Sequence, residues 1–559
     1  MKKWFRTVCF LLFFFSGLLA ADTAFAALPK ISVAVSADED ASQRSYVNCW
    51  ITSSRKGYLF LPAFYQPEQM YLYFDGYDTL TLDGREVHSG DAVSFSPNQV
   101  IQVSGKGFNP FTVTVMQSSP IPAIFINTES GDLTAIHKSK EVKEPGDMYM
   151  VNPDGSVEYD GNLKYIRTRG NSTFKYPKKG YQIKLKSAAP LCGMAKDKTF
   201  ILLANYLDRS GIRNRIGLDL ARYSGAYAFT VQCQPVDLYM NHAYVGCYLL
   251  TEKCEIDKDR LNITNLESAV EEMNDVPLES YPVVGPTRYR NGTSRAYQIP
   301  NEPEDITGGY MILGSNSNTY EKKPTGFVTK RGQAFIMQQP KYASVAQIAY
   351  VSGLMQQIEN AIFAKDGRDP ETGKHFSEFL DMKSFVNRYL QGEILCDHDA
   401  WRPTFYKDSD AVDAKVYCGP VWDQDNILGI SPKIGNPNYL SIDREQKRDY
   451  YWFTRVVKHP DFREEMIKTY YAVYRHAYLI LLGEETDETG TLLSVDAYTD
   501  EIRSSTLMDH TRWNKTTWRS ETGGNPKAGE KPDECAAFIK EFIRAHMKVM
   551  DKAYPEPLQ

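Results

Sequence analysis

The apolar residues of this chain change their spacing once, and that change limits what the chain can fold into. From residue 28 to about 118 they alternate at every second position. Examples are Ile31-Ser32-Val33-Ala34-Val35, Met70-Tyr71-Leu72-Tyr73-Phe74 and Phe111-Thr112-Val113-Thr114-Val115. Asp75-Gly76 and Asp83-Gly84 supply turns between such runs, a pattern that predicts a small β sandwich. Ser118-Ser119-Pro120-Ile121-Pro122 punctuates its end. Strands continue from Ile124 to about Glu255 around one helical run, Ile212, Ile216 and Leu220, for which Asp208 is the expected N-cap. Residues 256–345 read as polar loop with one strand at Gly309–Leu313. Beyond 345 the spacing becomes helical, over about 345–364, 382–395, 459–482, 495–508 and 535–553. A β-rich first half and a helical second half predict an α+β protein of two lobes with a cleft between them.

The amino terminus sets the compartment. Lys2, Lys3 and Arg6 precede an apolar stretch reaching Leu19, and Ala24-Phe25-Ala26 follows, the pattern of a signal peptide cleaved after Ala26. The protein is therefore expected to be secreted, periplasmic or at the cell surface. No later stretch has the roughly eighteen apolar residues a membrane helix needs, so no span is expected after cleavage. A net charge of −6 gives no electrostatic footprint for nucleic acid. The 42% hydrophobic and 24% charged fractions exclude wholesale disorder. Without Cys9 the cysteine count is even, and an oxidising compartment permits disulfides. Cys396 and Cys418 are the expected pair, because strands between them would return the chain beside its start. No C-x-x-C or H-E-x-x-H occurs, which argues against zinc.

Three stretches carry candidate chemistry. Arg167-Thr168-Arg169-Gly170-Asn171-Ser172-Thr173-Phe174 is a donor-rich turn leading to a strand with Lys184 between Ile183 and Leu185. Cations and a glycine at such a turn suit phosphate, or else form a polar hairpin in which Lys178, Lys179 and Lys186 are solvated. In Val421-Trp422-Asp423-Gln424-Asp425-Asn426, carboxylates at i and i+2 beyond a strand suit a hard cation, or else cap a turn. Cys396-Asp397-His398-Asp399 ends a helix, where a carboxylate could accept a proton from a hydroxyl.

Together these stretches resemble the spore-coat CotH family of atypical protein kinases. Further matches are Leu203-Ala204-Asn205-Tyr206-Leu207-Asp208 with Arg213-Asn214, Val236-Asp237-Leu238-Tyr239-Met240-Asn241, Tyr248-Leu249-Leu250-Thr251-Glu252-Lys253, Gly308-Gly309-Tyr310 and Phe405-Tyr406-Lys407-Asp408. The resemblance covers about 120–475 and implies a two-lobed kinase-like domain there, behind the signal peptide (1–26) and the β-rich module (27–119) read from the sequence pattern. A helical extension packed on the second lobe (476–559) completes the chain. The resemblance also implies an ATP-dependent kinase using Mg²⁺ or Mn²⁺ and acting on Ser or Thr of exported proteins; the amino-terminal module, which it does not cover, is left to bind a surface ligand. Carried over by position, Asp397 is the catalytic base, Asp423 and Asp425 hold metal, and Lys184, Arg169, Asn171 and Glu252 contact nucleotide. Counting back from Phe405 without a gap selects Asp397, and a two-residue gap selects Asp399. Many relatives carry Asn where this chain has Arg402, which cannot ligate a cation and puts the second metal in question. Two other classes fit parts of the pattern. One is a non-catalytic surface or adhesion protein on a degenerate kinase-like scaffold. The other is a glycoside hydrolase, disfavoured by the close Asp423/Asp425 spacing and the lysine-rich strand.

Overall fold

Alternating residues at the amino terminus build two facing sheets. In the computed structural model, which describes residues 27–37, 44–397, 399–430, 435–447, 451–513 and 524–556, one sheet has four strands and the other six. The four-stranded sheet runs in the order Val47–Asn48, Lys30–Ala34, Met70–Asp75 and Ala92–Val93. Val33, Phe60, Leu72, Val103 and Val115 fill the space between the sheets, as alternation requires. The signal-peptide reading concerns residues 1–26, which lie outside the described residues.

The next seven strands close into a barrel. Ala123–Thr128, Glu144–Val151, Val157–Arg169, Gly180–Ala189, Asp197–Leu203, Ala243–Glu252 and Cys233–Met240 follow one another, and Cys233–Met240 pairs parallel with Ala123–Thr128. Ile124, Ile126, Ile166, Ile183, Phe200 and Leu238 point inward and fill it. The outward positions divide between two neighbours. Phe125, Tyr239 and Tyr244 join the sandwich core, with the Phe125 and Tyr239 rings stacked 4.7 Å apart. Gln182, Ile201, Leu203 and Thr251 instead line a cleft facing the second half.

That half is a mixed sheet-and-helix layer. Residues 256–345 were expected to hold one strand, but an antiparallel seven-stranded sheet runs through them. Its strands include Ser294–Tyr297, Gly326–Val328, Ala334–Gln339 and Tyr310–Ser315, continuing to Thr404–Lys407 and Val416–Cys418. The missed strands are two to six residues long, too short for period alone to separate them from loop. The helices start and stop close to the expected positions. Val345–Phe363 begins at a capping box between Ser344 and Gln347, and Met382–Ile394 is capped by Asp381. These helices share one apolar core with Tyr470, Ile480, Ile502 and Ile539 of the carboxy-terminal helices.

The carboxy-terminal helix Val495–Arg512 also reaches the barrel. Asp509 accepts from the Cys247 N–H and pairs with Lys178 Nζ at 2.5 Å, and Ser505 donates to Asp237 at 2.7 Å. Lys178 is consequently 2% exposed rather than solvated. Lys179, half-buried, donates to the Phe174 carbonyl at 2.7 Å. No disulfide forms: all eight cysteines beyond residue 26 are free. The strands after Cys396 do return the chain, but their register sets Cys418 opposite Phe405, well downstream of Cys396. Among the described residues no helix is long and apolar enough to cross a membrane.

Candidate functional site

The cleft between barrel and second half holds two adjoining cavities. The larger, about 220 Å³, has apolar walls of Ile201, Leu203, Leu218 and Val231 and a rim of Glu252, Lys253 and Cys254. The smaller, about 40 Å³, is polar and lined by Arg169, Asn205, Asn214, Asp423 and Asp425 among others. Arg169 and Asp423 border both cavities. An apolar slot opening onto a charged pocket matches the usual character of small-ligand sites.

The acidic loop owes its position to a buried arginine. Arg213 Nη1 pairs with Asp208 at 2.5 Å, while its Nε and Nη2 donate to the carbonyls of Ile427 and Leu428 at 3.1 and 3.3 Å. Asp208 therefore does not cap the helix as an N-cap residue. The helix starts at Arg213, and Asp208 accepts from the Arg213 N–H across the intervening turn at 2.9 Å. Gln424 fixes the loop from the other side by donating to Asp397 at 3.2 Å. Asp423 itself has φ +59°, a left-handed conformation that a non-glycine residue holds only when its surroundings enforce it.

Gly217 lets the helix Arg213–Tyr223 approach this loop, since a Cβ there would sit 2.5 Å from Gln424 Cβ. Gly217→Ala is expected to lower stability. Alanine gains about 1 kcal/mol of helix propensity, but overpacking a tight contact costs roughly 1–3 kcal/mol. A denaturation midpoint at or above wild type would show that Gln424 yields without cost.

The electrostatics of the pocket are those of crowded carboxylates. Burial raises the Asp423 carboxyl above its usual range, Arg169 opposes this, and Asp399 and Asp397 add to it. Asp425 is pushed well higher, by burial first and then by Asp423, Asp399, Asp208 and Asp397. Arg169 is lowered by burial against the pull of Asp423 and Asp425. Such a cluster gains stability from any cation that shares its charge.

The two carboxylates at the end of the helix Met382–Ile394 differ sharply. Asp397 is fully buried. Its Oδ2 accepts from Arg388 at 2.9 Å and from Gln424, and its Oδ1 accepts from the Asp399 N–H at 2.8 Å. Asp399 has a side chain 54% exposed and pairs with Arg402 at 2.6 Å. Arg402 borders neither cavity of the cleft, so it does not enter the Asp423–Asp425 pocket in place of a metal.

Of the residues singled out in the sequence, Arg169, Glu252, Asp423 and Asp425 come together at the cleft. Glu252 is tied by Arg260 at 2.9 Å and by the Gln232 N–H at 2.9 Å. Burial raises its carboxyl, and these donors oppose the shift. Asn171 is exposed on the turn after Gly170 and borders neither cavity. Lys184, expected on the phosphates, also borders neither. It shares the outward register of Gln182, and Gln182 is the one that reaches the cleft, held by Arg167 at 2.8 Å and Tyr165 at 3.0 Å. Sequence reasoning missed Gln182, whose two-residue offset from Lys184 was the available signal. It also missed Asn214, although Arg213-Asn214 stood among the quoted motifs.

The donor set suits a hard cation: Asp423 and Asp425 offer carboxylate oxygens, and no thiol or imidazole lines the smaller cavity. Among the described residues no three His, Cys, Asp or Glu side chains converge, so two carboxylates would need neutral oxygens to complete a shell. Comparison with curated proteins finds no match. The CotH kinase protein family model matches residues 166–550, a span that takes in the cleft and the helices Val495–Arg512 and Pro532–Ala553. By this match over most of its length, the chain belongs to the CotH kinase family.

Proposed function

We propose that this chain is an exported kinase with a two-lobed, kinase-like organisation, transferring the γ-phosphoryl group of ATP to Ser or Thr of secreted or envelope proteins. The observation that carries this reading is the continuity of the apolar slot with the pocket of Arg169, Asp423 and Asp425. Ile201, Leu203, Leu218 and Val231 would hold the flat base, with Glu252–Cys254 at its edge. Arg169, which borders both cavities beside Asp423, would face the phosphates. Mg²⁺ or Mn²⁺ held by Asp423 and Asp425 would supply charge neutralisation. Asp399 is the carboxylate open to a hydroxyl. The substrate oxygen would bond to the γ-phosphorus as the bond to the ADP oxygen breaks, and the hydroxyl proton would pass to Asp399. Asp397, enclosed by Arg388 and Gln424, would position that turn.

The Arg402–Asp399 pair favours a second reading, a non-catalytic scaffold in which the exposed carboxylate is permanently occupied. Two measurements separate the readings. ATP with Mg²⁺ should raise the melting temperature, since a ligand at a hundredfold its Kd adds about 2.7 kcal/mol. Labelled γ-phosphate should also appear on exported proteins or on the chain itself. Stabilisation without transfer would favour the scaffold, and neither effect would remove the nucleotide reading.

A further inference from the structure

The polar cavity contains one buried oxygen without a partner, and its orientation follows from its neighbours. Asn205 Nδ2 donates to the Gly211 carbonyl at 3.1 Å, which leaves Asn205 Oδ1 facing Asn214. Asn214 must therefore offer its Nδ2 there, at 2.9 Å. Its own Oδ1 is then the free end, buried and without a hydrogen-bond partner in a residue 3% exposed. Leaving such an acceptor unmet is costly, and unpaired buried polar atoms commonly mark the place of an ion or water.

We infer that Asn214 Oδ1 is a third protein oxygen for the divalent cation held by Asp423 and Asp425. The three residues line the same cavity. Asn214 lies in the first turn of its helix, whose dipole disfavours a cation only weakly. Two adjacent carboxylates outweigh that term. The assignment also gives the pocket a neutral oxygen that does not depend on position 402.

The inference rests on the kinase reading, and Mn²⁺ binding to the full-length protein without nucleotide tests it. The readout is loss of the free-ion electron paramagnetic resonance signal. Asn214→Leu should weaken Mn²⁺ binding by roughly 10- to 100-fold. Asp423→Asn should weaken it as well. Asn214→Asp keeps an oxygen and adds charge, so it should bind at least as tightly as wild type, and it decides the matter if Asn214→Leu does not fold. Wild-type affinity in Asn214→Leu, with binding lost in Asp423→Asn, would overturn the Asn214 assignment and leave the kinase reading intact. The same holds if Asn214→Asp binds more weakly than wild type. A wild-type protein that binds no Mn²⁺, with or without ATP, would overturn both.

Discussion

Asp399→Asn is expected to reduce the rate of phosphoryl transfer by roughly a hundredfold to ten-thousandfold, the range a general base contributes. Nucleotide affinity and melting temperature should stay near wild type, because the Asp399 side chain is 54% exposed and has Arg402 as its ion-pair partner. An ion pair this exposed contributes only about 0–1 kcal/mol, so its loss leaves the fold almost untouched. The same weakness means that Arg402 does not lock the carboxylate away from a hydroxyl. Rates of single turnover and titrations with ATP, measured for wild type and variant, separate the two effects. Full activity in Asp399→Asn would remove Asp399 from the reaction.

Asp397→Asn should behave in the opposite way, losing about 3–5 kcal/mol of stability, the usual cost of removing one partner from a buried ion pair. Arg388 would remain buried with its charge uncompensated, since Asp397 faces it at 2.9 Å and both side chains are enclosed. The denaturation midpoint reports the loss. Replacing both partners by apolar residues, Asp397→Leu with Arg388→Met, should recover part of it, because no unpaired charge is then left inside. If Asp397→Asn is instead as stable as wild type yet inactive, Asp397 is the base and Asp399 is not.

These two carboxylates show where the sequence was informative and where it was not. Each lies just beyond the helix Met382–Ile394, and counting residues could favour either. Their burial depends on Arg388, Gln424 and Arg402, and no local pattern shows which oxygen each of these reaches. Lys184 and Gln182 pose the same problem on one strand. Alternation places both on the outer face of the barrel, but the packing of the second half decides which of them the cleft reaches. Lys178 reads as a surface lysine until Asp509, more than three hundred residues later, is folded against it.

The sequence by itself determined the segments and their order: an alternating sandwich, a strand-rich middle, and helices marked by their apolar spacing. Hydrophobic period is a local property, so it survives without knowledge of the fold, whereas the expected Asp208 cap did not. It also determined which residue types could meet phosphate and metal, and Arg169, Glu252, Asp423 and Asp425 do converge. Tertiary structure alone decided the barrel closure, the unpaired Asn214 oxygen, the free state of Cys396 and Cys418, and the contrast between Asp397 and Asp399. Each of these depends on partners distant in the chain, and the loss of water around a buried group, not its identity, sets what that group can do.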